Sequence, residues 1–246
     1  MRTLNMKEKL SPIYDFLLAN RQYNHALQEK EYISMLSGHD NKTDKVISLL
    51  YNIVNSQSQP KMDYLAKFFM FIYEDKKLLD SFRAFVKKVS GKDNGCYIDL
   101  YKGLKEKDGW GPKTAALFTK VIFNLHRKKH PENLTIWADA PNGVNGSDQI
   151  FLPVDAVIIE IFKQIGFEKN NFSSINKVIS THYSASEVEV WDDLWFWGFI
   201  TQKGSGGKRT IEWNLNKYWS LQHSNKDAET IKIIQKKAEI FMEFLS

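Results

Sequence analysis

Apolar residues recur at three- and four-residue spacing along most of the chain, which is the pattern of amphipathic α-helices. The helix beginning near residue 43 or 44 is the clearest example, with Val46, Leu49, Leu50, Ile53 and Val54 on one face. The same spacing predicts further helices at about 78–89, 96–106, 112–127, 155–165 and 227–245.

Strand patterns are scarce, and only residues 209–215 suggest a small hairpin. Residues 129–149 and 201–209 have the glycine-rich, polar composition of loops. Ser186 and Glu189 form a capping-box signature ahead of a helix rich in tryptophan. The pattern therefore predicts a mostly α protein whose helices form two lobes.

Composition narrows the possible functions only a little. The 246 residues carry a formal charge of +5, and an excess of this size permits a polyanionic partner without requiring one. Cys96 is the only cysteine, so neither an intrachain disulfide nor a four-cysteine zinc or iron–sulfur site can form. No apolar run has the length of a membrane span, and residues 1–18 lack the apolar core of a signal peptide. We therefore expect a cytoplasmic protein that does not enter the membrane.

The helical pattern breaks for only a few residues between Glu106 and the helix that Pro112 can begin. Gly109 and Gly111 flank Trp110 in this break, and glycine allows a sharp turn and the close approach of another molecule. The free N–H groups at the start of the next helix suit a phosphate. The segment is typical of a DNA-binding helix-hairpin-helix, although an ordinary turn between two helices fits it equally well.

Two residues at helix starts could carry chemistry. Lys113 follows Pro112, and a cation at the positive end of a helix can lose its proton and become a nucleophile. Asp155 precedes an apolar helix, where a carboxylate stabilises a developing positive charge or simply caps the helix. Each residue also has the plain interpretation, an exposed lysine and a structural cap.

Together the two segments resemble the helix-hairpin-helix (HhH-GPD) superfamily of DNA glycosylases. Residues 109–115 match its Gly-x-Gly-x-Lys-x-Ala hairpin, and Val154 with Asp155 matches its Val-Asp motif. The resemblance implies a two-lobed helical fold with a DNA-binding cleft between the lobes. The lobes would comprise about 44–128, and 1–43 with 150–246, with 129–149 as a loop insertion. The chain departs from the family pattern before the hairpin, at 107–108, and after the Val-Asp motif, at 156–157.

The resemblance also implies roles for individual residues. Lys113 would form a Schiff base with the sugar, and Asp155 would assist it. Amides of residues 109–112 would hold a DNA phosphate, and a monovalent cation can bind the hairpin carbonyls in this family. Gln57 matches a glutamine that enters the DNA stack. The single cysteine favours the cluster-free branch, so the expected substrate is a damaged base in double-stranded DNA, with 8-oxoguanine as our first choice. We expect a monomer without a resident metal.

A glycosylase must turn the damaged base out of the duplex, and the base would then need an aromatic wall. Trp195, Trp197 and Phe199 are candidates for this wall, although core packing explains such residues as well. A basic loop holding Lys203, Lys208 and Arg209, and a basic cluster at 127–130, could contact phosphates or remain solvated.

Three other functions stay open on the sequence. The chain could be a DNA-binding protein that keeps the hairpin and has no catalytic activity. It could be an α-helical protein-interaction module with a fortuitous Gly-x-Gly turn. It could also be a glycosylase that activates water through Asp155, although the lysine at position 113 argues against this.

Overall fold

The structure is a computed structural model that describes residues 5–127, 134–144, 146–206, 208–221 and 227–246. These residues are mostly helical and include one two-stranded sheet, so the predicted α class is confirmed at that level. None of the helices described combines the length and apolar character needed to cross a membrane. Part of the predicted basic cluster, residues 128–130, lies outside the described ranges.

The helices and strands follow the predicted order closely. In chain order they are α1 (Met6–Ala19), α2 (Arg21–Leu36), α3 (Lys42–Asn55), α4 (Met62–Tyr73), a 3-10 helix (Lys76–Leu79), α5 (Phe82–Ser90), α6 (Tyr97–Lys105), α7 (Pro112–Arg127), α8 (Ala156–Gln164), α9 (Phe172–His182), α10 (Val188–Trp191), α11 (Leu194–Ile200), β1 (Gln202–Ser205), β2 (Lys208–Ile211), α12 (Leu215–Leu221) and α13 (Ala228–Glu243). The strands are antiparallel, with Gln202 opposite Ile211. Residues 201–209, expected to be a loop, therefore contribute β1 and the first part of β2.

The chain divides into two compact units. We call residues 29–153 the central unit, and residues 1–28 with 154–246 the terminal unit. The division passes through α2, so residues 29–43 belong to the central unit, whereas the sequence analysis grouped them with the termini. Residues 150–153 also belong to the central unit.

The segment expected to be a loop insertion, 129–149, contributes to the core of the central unit. Trp137 is fully buried there, and its indole N–H donates to the carbonyl oxygen of Leu79 over 2.6 Å. The carboxylate of Asp139 accepts from the Phe82 and Arg83 amides at the start of α5. Asp148 accepts from Tyr97 and Ile98 at the start of α6. The described part of this segment therefore caps two helices, one of which leads into the glycine-rich hairpin.

In the terminal unit, Arg21 forms ion pairs with two buried carboxylates. The Arg21 guanidinium bonds Glu189 at 2.7 Å and Asp193 at 3.1 Å. Asp193 is 1% exposed and also accepts from Asn24 over 2.6 Å. The predicted capping box of Ser186 and Glu189 is wrong, because α10 has Glu187 at its N-cap and no side-chain cap hydrogen bond. The Ser184 amide instead donates to Glu187, over 2.7 Å.

Candidate functional site

The predicted hairpin joins α6 to α7 in the central unit. Gly109 has a φ of +79°, a left-handed conformation that side chains other than glycine rarely adopt. A β-carbon at this position would lie 2.6 Å from Cδ2 of Leu65 on α4. The turn therefore needs glycine for its backbone conformation and for its close packing on α4.

Gly111 has the opposite surroundings, because a β-carbon there would meet no atom within 4 Å. The Trp110 amide donates to the Lys107 carbonyl, and the Ala115 amide donates to the Gly111 carbonyl. Among the described residues of the central unit, the amides of Gly111, Lys113 and Thr114 have no hydrogen-bond partner. These open amides at the positive end of a 16-residue helix suit an anion such as a phosphate.

Lys113 lies in the first turn of α7 and is half-buried. No hydrogen bond or ion pair engages its ammonium group among the described residues of the central unit. The lack of a carboxylate partner within this unit leaves the amine available to a ligand.

Trp110 does not line the surface of the hairpin. Its side chain is 6% exposed and packs between Phe68 and Phe118, with ring centroids 5.1 and 5.8 Å away. Its buried indole N–H has no partner among the described residues. Its amide, expected to hold a DNA phosphate, donates to the Lys107 carbonyl in this structure, and its side chain anchors the turn to the core.

Gln57 lies directly beside the hairpin. Its side-chain amide donates to the carbonyl oxygen of Gly109 over 3.1 Å, and the side chain is half-buried. The resemblance implies that Gln57 enters the DNA stack, whereas in this structure it ties the segment that follows α3 to the turn. The bond also uses one lone pair of a carbonyl oxygen that could otherwise hold a monovalent cation.

Asp155 caps α8 in the terminal unit. One carboxylate oxygen, Oδ1, accepts from the amides of Val157 at 2.9 Å and Ile158 at 3.1 Å. The other, Oδ2, accepts from the indole N–H of Trp195 at 3.0 Å. The expected capping role is present, and the indole bond adds an orientation that capping alone does not require. The carboxylate is half-buried, so a ligand can still reach it.

One of the three proposed pocket residues, Trp195, bonds this carboxylate, and a second, Phe199, stacks on Trp195. Trp195 and Phe199 stack one helical turn apart on α11, with centroids 5.0 Å apart and an interplanar angle of 17°. The ammonium of Lys217 lies 4.9 Å from the centroid of Phe199. Burial, then the charge of Arg209, lowers the pKa of Lys217, while the charge of Asp155 opposes that shift. No sequence pattern pointed to Lys217.

Trp197 is a core residue rather than a pocket residue. It is 0% exposed and packs against Phe16 and Tyr23, with centroids 5.0 and 5.8 Å away. Because Trp197 lies two positions from Trp195 on a helix, the two side chains point in different directions. The expectation that both form one aromatic wall is therefore wrong.

The basic residues of the β-hairpin have different environments. Lys203 and Lys208 are exposed, and Lys203 lies 3.5 Å from the Glu212 carboxylate. Arg209 donates to the side-chain oxygen of Gln202 over 3.1 Å and is half-buried. The two lysines therefore present exposed cations, and that of Lys203 is already paired with Glu212.

The two proposed chemical groups belong to different units, Lys113 to the central unit and Asp155 to the terminal unit. Over the described ranges, no group of three or more His, Cys, Asp or Glu side chains is arranged to hold a metal ion. Comparisons of the chain with protein-family models, with curated proteins and with solved structures found no match.

Proposed function

We propose that this chain is a DNA glycosylase with AP lyase activity, which removes an oxidised base from double-stranded DNA. 8-Oxoguanine is the first candidate substrate, on the resemblance of residues 109–115 and 154–155 to the HhH-GPD superfamily. It acts in the compartment of the cell that contains the DNA. The main support for the proposal is the hairpin. The amine of Lys113 has no bonding partner among the described residues of the central unit, and it lies next to helix amides that also have none there.

The target bond is inaccessible inside a duplex, so the damaged nucleotide must first leave the base stack. The open amides of Gly111, Lys113 and Thr114 bind a backbone phosphate, which places the sugar near the hairpin. Gln57, beside the turn, fills the gap left by the base. Trp195 and Phe199 offer an aromatic surface to the everted nucleotide.

The chemical step uses Lys113 and Asp155. The neutral amine of Lys113 attacks the anomeric carbon, the bond between sugar and base breaks, and the base leaves with the bonding electrons and takes up a proton. Asp155 stabilises the positive charge that develops on the sugar. The attached amine gives up one proton, and the sugar ring opens as O4′ leaves C1′ and takes up a proton, which yields a protonated Schiff base. Solvent then accepts a proton from C2′, and the 3′ phosphate leaves with the electrons of its bond to C3′ in β-elimination.

The test uses a panel of duplexes that each carry one modified base, 8-oxoguanine among them, with an undamaged duplex as reference. Strand cleavage and borohydride-trapped covalent adducts are measured on denaturing gels. We expect wild type to cleave and to be trapped on at least one duplex. Lys113→Gln should lose both products and largely keep its DNA affinity. Lys102→Gln, at an exposed lysine of α6, is the matched control and should behave as wild type.

Other outcomes identify the competing functions. Base release without an adduct or cleavage indicates a glycosylase that activates water. Salt-sensitive DNA binding without any reaction indicates a non-catalytic DNA-binding protein. Absence of DNA binding favours the alternative function as an α-helical protein-interaction module. Unchanged trapping of Lys113→Gln would overturn the role assigned to Lys113.

A further inference from the structure

The Asp155 carboxylate is held by three donors from two different helices. The Val157 and Ile158 amides belong to the first turn of α8, and they bind Oδ1. The third donor, the indole N–H of Trp195, comes from α11 and binds Oδ2. A cap needs only the first two bonds. The third fixes the rotation of the carboxylate, because each oxygen now has a donor in a defined direction.

Close packing of α8 on α11 makes this third bond possible. A β-carbon on Gly198 would lie 2.8 Å from Cγ1 of Val157 and would also meet the end of the Ile161 side chain. The buried amide of Gln202 donates to the Val157 carbonyl over 3.0 Å, just beyond the end of α11. The first turn of α8 is thus packed against α11 at Gly198 and bonded to β1 at Gln202, and the indole reaches Asp155 from α11.

The indole ring is itself held in place. Phe199 stacks on it, and Lys217 of α12 lies against the Phe199 ring. The charges of Arg209 on β2 and of Asp155 both act on Lys217. Trp195 therefore has one face supported by Phe199 and its N–H directed at the carboxylate.

We infer that Trp195 is a positioning residue for Asp155 in the proposed glycosylase reaction. The inference rests on the proposed function, since it assigns Trp195 an effect on the charge that Asp155 stabilises. The indole bond keeps the carboxylate in one rotamer, so Asp155 needs no reorientation when positive charge develops on the sugar. Capping of α8 does not depend on Trp195, because both amide bonds go to Oδ1.

The test compares Trp195→Phe, which keeps an aromatic ring on Phe199 and removes the N–H, with Trp219→Phe, a matched change at an exposed tryptophan of α12. Single-turnover base release is measured over a series of duplex concentrations, so that the maximal rate and the substrate affinity are obtained separately. We expect Trp195→Phe to lower the maximal rate about ten- to hundredfold at unchanged substrate affinity, as for loss of one hydrogen bond to a charged group. Trp219→Phe should change neither quantity.

A second measurement does not depend on activity. In ¹H–¹⁵N spectra of wild type, the Trp195 indole resonance is identified by its loss in Trp195→Phe. It should change position in Asp155→Asn, because the substitution alters the acceptor of its hydrogen bond. A Trp195→Phe variant that matches Trp219→Phe in maximal rate and substrate affinity overturns the inference and leaves the proposed function standing. An indole resonance that keeps the same position in Asp155→Asn also overturns the inference. Wild type that releases no base from any duplex overturns the proposed function, and the inference with it.

Discussion

The side-chain amide of Gln57 donates a hydrogen bond to the carbonyl oxygen of Gly109, 3.1 Å away and 52 positions along the chain. The bond links the end of α3 to the turn that begins α7. Gln57 and the hairpin were proposed as separate DNA contacts, and within the central unit they form one surface. A residue that ties down the turn also influences where Lys113 lies.

Replacing Gln57 with alanine should therefore affect the turn before any DNA is present. We expect a loss of about 1 kcal/mol in the free energy of unfolding, the usual contribution of one hydrogen bond, measured by urea titration. DNA affinity, measured by fluorescence anisotropy, should fall as well. Gln59→Ala changes an exposed glutamine nearby and is the control. Equal stability of the two variants would mean that the bond to Gly109 contributes nothing.

The two hairpin glycines should respond differently to alanine. Gly109→Ala forces a side chain into a left-handed conformation and against Leu65, so we expect a loss of about 2 kcal/mol or more in thermal or urea unfolding. Gly111→Ala meets open space and should stay within about 0.5 kcal/mol of wild type. If the open side of Gly111 admits a phosphate, Gly111→Ala should nevertheless weaken DNA binding. Similar stabilities of the two variants would contradict the described turn.

Gly198 should tolerate no side chain, because Val157 and Ile161 occupy the space that a β-carbon needs. We expect Gly198→Ala to cost about 1–3 kcal/mol, the usual range for overpacking a core. It should also move α11 away from Asp155 and alter the Trp195 indole resonance. Calorimetry and ¹H–¹⁵N spectra measure the two effects. A stable variant with an unchanged indole resonance would contradict the packing described for α8 and α11.

Asp193 should make stability depend on pH in the terminal unit. Burial and the neighbouring Asp192 raise its pKa from 3.8 to about 7, although Asn24 and Arg21 oppose the shift. The folded protein then holds a proton that the unfolded chain releases, so this contribution to stability falls as pH rises from about 4 to 7. Asp193→Asn removes the titration. We expect its unfolding free energy, relative to wild type, to increase over that range, as measured by urea titration at several pH values.

His126 should have the opposite effect in the central unit. Burial lowers its pKa from 6.5 to about 4, so the folded protein keeps it neutral while the unfolded chain takes up a proton. This contribution to stability is present above pH 6.5 and is lost as pH falls toward 4. Because its buried Nε2 has no hydrogen-bond partner among the described residues, His126→Phe should be tolerated at pH 8. The free energy of unfolding of His126→Phe, relative to wild type, should increase as pH falls below 6.5. A difference that does not change with pH would contradict the lowered pKa of His126.

The sequence by itself determined the features that depend on near neighbours. Pro112 begins α7 as predicted, because proline suits a first helical turn and the apolar spacing continues behind it. Asp155 caps α8 as predicted, since its carboxylate reaches amides only two and three positions away. The need for glycine at position 109 was also predictable, as a sharp turn requires a backbone conformation that glycine adopts easily.

Only the tertiary structure decided which aromatic residues face the core and which face a possible ligand. Residues 194–200 are apolar throughout, so their spacing carries no amphipathic pattern to separate Trp195 from Trp197. The bond between Trp195 and Asp155 joins residues 40 positions apart, and Lys217 reaches Phe199 from another helix. Such contacts depend on how helices pack, and helix packing is set by the shapes of many side chains at once rather than by any local motif.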